Sequence, residues 1–279
     1  MEDDHREQYV RYAVFHWRRL PMARTRALLL FAAVLLVLSG CKAFFEFNAF
    51  SSLDKASVPD PSRYQGASGL ANLQADLLSP SVVNALKSDP ATVAIILNNL
   101  NTSYGVTGTL TTPDQQIAAI LYSNLALQTT SGDVLVNNIV ANVLTTPTGN
   151  LATVLQAVVP PDVAADINKF TAMVNGFLTA EPAYVSLGNS LPTYGAPPGM
   201  NMGDVTQKAT VAYLMERVYA AAVATPGVGA ANAIPELFAL VNNQPNSVAN
   251  VQTNPTNPLN PLPGWLQNIY AVSGAPLPK

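Results

Sequence analysis

Histidine and cysteine are almost missing from this chain of 279 residues: two histidines, His5 and His16, and one cysteine, Cys41, all near the start. Charged residues make up only 11%. Sustained apolar–polar alternation between hairpin turns is missing too, which speaks against a β-rich fold. The longest wholly apolar run, Ala27 to Leu38, covers 12 residues. A membrane-spanning helix needs about 20, because each residue adds about 1.5 Å against a hydrocarbon core about 30 Å thick.

These shortages narrow the chemistry. Beyond residue 41 there is neither imidazole nor thiol. Zinc and most transition-metal sites lean on those groups, as do Ser-His-Asp triads and cysteine nucleophiles. No catalytic residue, metal ligand or cofactor-binding residue is therefore assigned. Carboxylate, lysine, tyrosine or Ser-Lys chemistry and oxygen-ligand calcium sites stay open.

What is present begins with an export signal. Arg24 and Arg26 precede the apolar run, and Leu38-Ser39-Gly40-Cys41 follows it. A short basic segment, an apolar core of this length and small residues at the end have the form of a secretory signal over residues 22–40. The four-residue motif resembles the lipobox of bacterial lipoproteins, and the single cysteine sits where that pattern requires it. The resemblance implies cleavage before Cys41, a diacylglycerol on its sulfur and an N-acyl chain on the new terminus. Two or three chains hold a protein on a bilayer far more firmly than one, at about 0.8 kcal/mol per buried methylene. Lys42 in place of aspartate implies, in many Gram-negative lipoproteins, the periplasmic face of the outer membrane. Residues 1–21 carry more charge than a signal needs; either translation starts at Met22 or they form a cytoplasmic extension.

Cleavage would leave eight Lys and Arg against 13 Asp and Glu, a net charge of about −5. Such a chain has no basic stripe for nucleic acid. Its 239 residues suffice for one large domain or two small ones. Residues 41–65 read as a lipidated tether and linker. Phe44, Phe45, Phe47 and Phe50 in it would lie in the bilayer interface or plug into the domain, and Pro59, Pro61 and Gly66 mark the linker.

Residues 66–279 read as a single all-α domain of eight to ten helices in antiparallel pairs. Thr112-Pro113-Asp114-Gln115 has the form of a helix start with a capping box, and Asp89-Pro90 opens another helix. Pro160-Pro161-Asp162 starts a long amphipathic helix through Val163, Ile167, Phe170, Val174 and Phe177. On it Asp162 and Asp166 would share a face, as helix-start charges or as a paired acid site. Thr111-Thr112-Pro113 recurs at Thr145-Thr146-Pro147, 34 residues on. That is the tetratricopeptide period without the tetratricopeptide consensus, and it suggests a stack of helix pairs.

Gly188, Pro192, Gly195, Pro197, Pro198, Gly199 and Gly203 predict a loop over 188–203. Tyr194, Met200 and Met202 within it are the candidate partner or ligand contacts. Glu216 and Arg217 stand out in an apolar surrounding. Residues 242–264 form a Pro- and Asn-rich strap with a three-residue Asn-Pro-x repeat suited to polyproline II, ahead of a final helix carrying Trp265, Leu266, Ile269 and Tyr270. The function expected is a lipid-anchored envelope protein that binds another envelope protein, in architecture similar to periplasmic tetratricopeptide-like accessory lipoproteins of transport systems. The alternative is a carrier of an apolar ligand between helices.

Overall fold

Thr112 shows how local chemistry sets the helices of this protein. Its hydroxyl accepts from the Gln115 amide at 3.2 Å, while the Gln115 side chain accepts from the Thr112 amide at 3.1 Å. That reciprocal box satisfies two otherwise unpaired donors. The computed structural model describes residues 57–66, 68–143, 151–245 and 262–277, with side chains placed outside 140–143 and 151–154. Cys41, the aromatic tether, the second Thr-Thr-Pro and most of the Asn-Pro strap lie outside the described residues. Residues from Ala56 onward form one compact unit.

The fold is all-α. After a 3-10 turn (Pro61–Tyr64) come α1 (Gly69–Leu77), α2 (Pro80–Lys87), α3 (Pro90–Tyr104), α4 (Pro113–Thr129), α5 (Gly132–Val143) and α6 (Leu151–Val158). They are followed by α7 (Pro161–Ala164), α8 (Ile167–Tyr194), α9 (Met202–Ala224), α10 (Gly229–Val241) and α11 (Gly264–Ser273). Among the described residues that makes eleven helices. The expected long helix from Pro161 divides in two. Asp166 leaves the helical path and caps α8, accepting from the amides of Asn168 and Lys169. Asp162 instead sits on the short α7 and pairs with Lys169 in an exposed contact, so the two carboxylates do not form a joint site.

α8 also corrects the loop expected over 188–203. It runs through Pro182, Gly188 and Pro192 and stops only at Gly195, whose φ of 71° favours glycine. Proline lacks an amide hydrogen and so deprives the carbonyl four residues earlier of its usual bond. For Pro192 that carbonyl belongs to Gly188, and the Asn268 side chain of α11 donates to it at 3.0 Å. Tertiary contact thus supplies what the helix loses. The true connection between α8 and α9 is residues 195–201.

α8 is the centre of the domain, touching α4, α5, α7, α9, α10 and α11. A repeat stack, by contrast, keeps each unit's contacts to its sequence neighbours. α4 and α8 are antiparallel and meet along small residues. Gln116, Ser123 and Thr130 recur every seven residues on α4; Gly176, Ala183 and Ser190 do so on α8. The Gln116 amide donates to the Ser190 hydroxyl at 2.9 Å, and the Ser123 hydroxyl donates to the Ala180 carbonyl at 3.1 Å. At Gly176 a methyl group would overlap the Thr130 hydroxyl, so the close approach depends on the missing side chain.

The 3-10 turn belongs to the body and not to the linker expected up to residue 65. Tyr64 is buried, and its hydroxyl donates to Asp76 of α1 at 2.9 Å. Arg63 reaches the same buried carboxylate at 3.2 Å. The final helix closes the core as expected: Leu266 and Ile269 are wholly buried, and Trp265 meets Tyr213 edge to face with ring centroids 6.0 Å apart.

Candidate functional site

The three side chains proposed from the sequence as contacts do not line one groove. Tyr194 is on the last turn of α8 and 46% exposed. Met200 is half-buried against the core, with its sulfur near the Gln74 amide of α1 at 3.9 Å. Met202 is the first residue of α9 and is buried in the core. Of the three, Tyr194 alone is exposed.

The structure brings a different set together where α4, α8 and α9 meet. Lys208 of α9 is buried, and its ammonium donates to Asp204 at 2.7 Å and to the Asn124 side chain at 2.9 Å. Asp204 occupies the first turn of α9, where the helix dipole favours a carboxylate. Asn201 caps the same helix, accepting from Gly203 and Asp204. Burying an ammonium is costly unless charge and hydrogen bonds compensate. Asp204 and Asn124 provide both.

Tyr184 of α8 completes this junction. Its side chain is wholly buried, and Ser123 is the polar group beside its hydroxyl, which makes no well-formed hydrogen bond among the described residues. Neighbouring Ser123 directs its own hydroxyl to the Ala119 and Ala180 carbonyls at 3.0 and 3.1 Å. Burial pushes the Tyr184 hydroxyl above the ordinary tyrosine range, the Asp204 charge adds to the effect, and Ser123 opposes it. Tyr64 is raised as well, by burial first and then by its bond to Asp76.

These two tyrosines fix an alkaline limit. Both hold their protons more tightly when folded than when unfolded, where the value is about 10. Their contribution is fully present below pH 10 and is lost as pH rises above it. The melting temperature should therefore hold level from pH 7 to 9 and fall above 10. Absorbance at 295 nm should show at least two tyrosines, Tyr64 and Tyr184, that ionise only on unfolding, with half-buried Tyr122, also raised by burial, titrating late. Complete ionisation of all tyrosines in the still-folded domain would refute this.

Between α8 and α9 the charges of two glutamates, Glu181 and Glu216, oppose each other. Glu181 is raised, first by burial and second by the negative charge of Glu216, while Arg217 is exposed. Below the ordinary value of 4.5 the Glu181 carboxyl is protonated in both states. Above it, ionisation costs more in the fold than in the unfolded chain, and stability falls. Glu181→Gln should therefore melt higher than the parent at pH 7, and the difference should vanish near pH 4. Equal melting temperatures at pH 7 would contradict the assignment.

Among the described residues no three His, Cys, Asp or Glu side chains gather as metal ligands, and no helix is long and apolar enough to cross a membrane. Sequence patterning does not single out the α4–α8–α9 junction. Its one local signal is the four-residue spacing of Asp204 and Lys208 in a chain poor in charge; Asn124 and Tyr184 come from distant helices. No protein-family model, curated protein or solved structure matches this chain.

Proposed function

We propose that this protein is a lipid-anchored component of the bacterial cell envelope whose helical body binds another envelope protein without catalysing a reaction, as an accessory to a transport system. The observation that carries the reading is Leu38-Ser39-Gly40-Cys41, placed directly after the 12-residue apolar run and containing the chain's only thiol. Cleavage there removes both histidines and acylation consumes the thiol. The body then has few means of nucleophilic or metal-assisted chemistry left. On this reading the anchor places the protein at the periplasmic face of the outer membrane.

Crosslinking in intact cells, with the purified protein extracted in parallel for bound lipid, tests the binding role. A defined envelope protein joined to the helical body, with no stoichiometric apolar ligand, is the expected result. Recovery of a bound lipid and no protein partner would replace the scaffold with a carrier.

A further inference from the structure

Four methionines lie beyond residue 41, and one of them is set apart by its surroundings. Met173, Met202 and Met215 are buried in the core. Met200 is only half-buried, in the connection between α8 and α9, where Ala196, Pro198, Gly199 and Asn201 are exposed. Its sulfur is also the one that faces a hydrogen-bond donor from another helix: the Gln74 side-chain amide of α1 donates to it at 3.9 Å. A thioether is a weak acceptor, whereas an amide NH2 carries two full donors. The contact therefore joins a strong donor to a sulfur that makes little use of it.

We propose that Met200 is an oxidation site, at which the helical body takes one oxygen atom from a peroxide and holds the resulting sulfoxide on the Gln74 amide. In the step a sulfur lone pair attacks one oxygen of hydrogen peroxide. The S–O bond forms as the O–O bond breaks, and the second oxygen takes the proton of the first and leaves as water. Sulfur is oxidised by two electrons and the peroxide is reduced by two. Oxidation turns an apolar thioether into a polar group and so disrupts a methionine packed in a core. The harm arises because a buried acceptor without a donor is costly. At Met200 the donor is already in place. The sulfoxide oxygen is a far better acceptor than the sulfur and is attached to the atom that Gln74 faces; the flexible Gln74 side chain can follow it. The oxidised protein thus keeps α1 joined to the α8–α9 connection, while burial withholds Met173, Met202 and Met215 from the same reaction.

Treating the purified protein with graded hydrogen peroxide and mapping its peptides by mass spectrometry tests the site. Among the methionines beyond residue 41, the first added oxygen should fall on Met200, with the other three unmodified while the protein stays folded. First oxidation at Met173, Met202 or Met215 would overturn the proposal. The singly oxidised protein then tests the role of Gln74. A side-chain amide proton of Gln74 should move downfield in the NMR spectrum, and the melting temperature should not fall. Gln74→Ala removes the donor, so its oxidised form should melt about 2 to 4 °C below its own unoxidised form, the shift given by roughly one lost hydrogen bond at this domain size. An unmoved Gln74 resonance, a parent protein that loses stability on oxidation, or a Gln74→Ala protein that loses none would each overturn the proposal. The mapping and the resonance are read on the unaltered chain and stand even if the variant does not fold.

Discussion

Gly188→Ala is expected to release the C-terminal helix α11 and to lower the melting temperature by about 6 to 12 °C. The methyl group would run into the backbone carbonyl of Trp265. Backbone cannot rotate away as a side-chain tip can, so overpacking here belongs at the upper end of the 1 to 3 kcal/mol range, and ~3 kcal/mol corresponds to that shift. The damage should spread. Displacing α11 removes the Asn268 donor from the Gly188 carbonyl, which Pro192 leaves without a partner. It also exposes Leu266 and Ile269, each worth about 1.5 to 3 kcal/mol when fully buried. Beyond residue 41 Trp265 is the only tryptophan, so its emission should shift to the red in the variant. Asn189→Ala, one residue along and exposed, is the control and should leave both signals unchanged. A Gly188→Ala protein that melts and fluoresces like the parent would mean that α11 does not seat on α8 as described.

Cys41→Ser should have the largest effect in the cell. The hydroxyl does not replace the thiol as an acyl acceptor under the lipobox reading, so incorporation of labelled fatty acid should fall from full to background. The chain should keep its signal segment. A variant that is processed normally and still incorporates label would remove the anchor from the account, while leaving the helical body as it is.

Local helix chemistry was the legible part of this fold. Thr112 with Gln115 and Asp89 with Thr92 cap their helices as the sequence implies, because a cap is written within four residues. The course of α8 was not legible in the same way. Pro182, Gly188 and Pro192 are local arguments for ending a helix, and they are outweighed by a core in which Tyr184, Leu187 and Leu191 are buried and by Asn268 arriving from 80 residues away. The reverse happened at Asp166, where apolar spacing continues through a position that the backbone uses as a cap. Tyr194, Met200 and Met202 look alike in the sequence as apolar side chains in a Pro- and Gly-rich stretch. Only their positions at a helix end, against α1 and at a helix start separate them. Lys208 shows the same limit: its spacing from Asp204 can be read directly, but its burial depends on Asn124 and on packing against two other helices.

The intact mass of the protein recovered from membranes tests the central claim most directly. The account predicts a chain beginning at Cys41 and carrying the added mass of a diacylglycerol and one further acyl chain. A mass that begins at Met1 or Met22, or a chain that begins elsewhere without lipid, would contradict it.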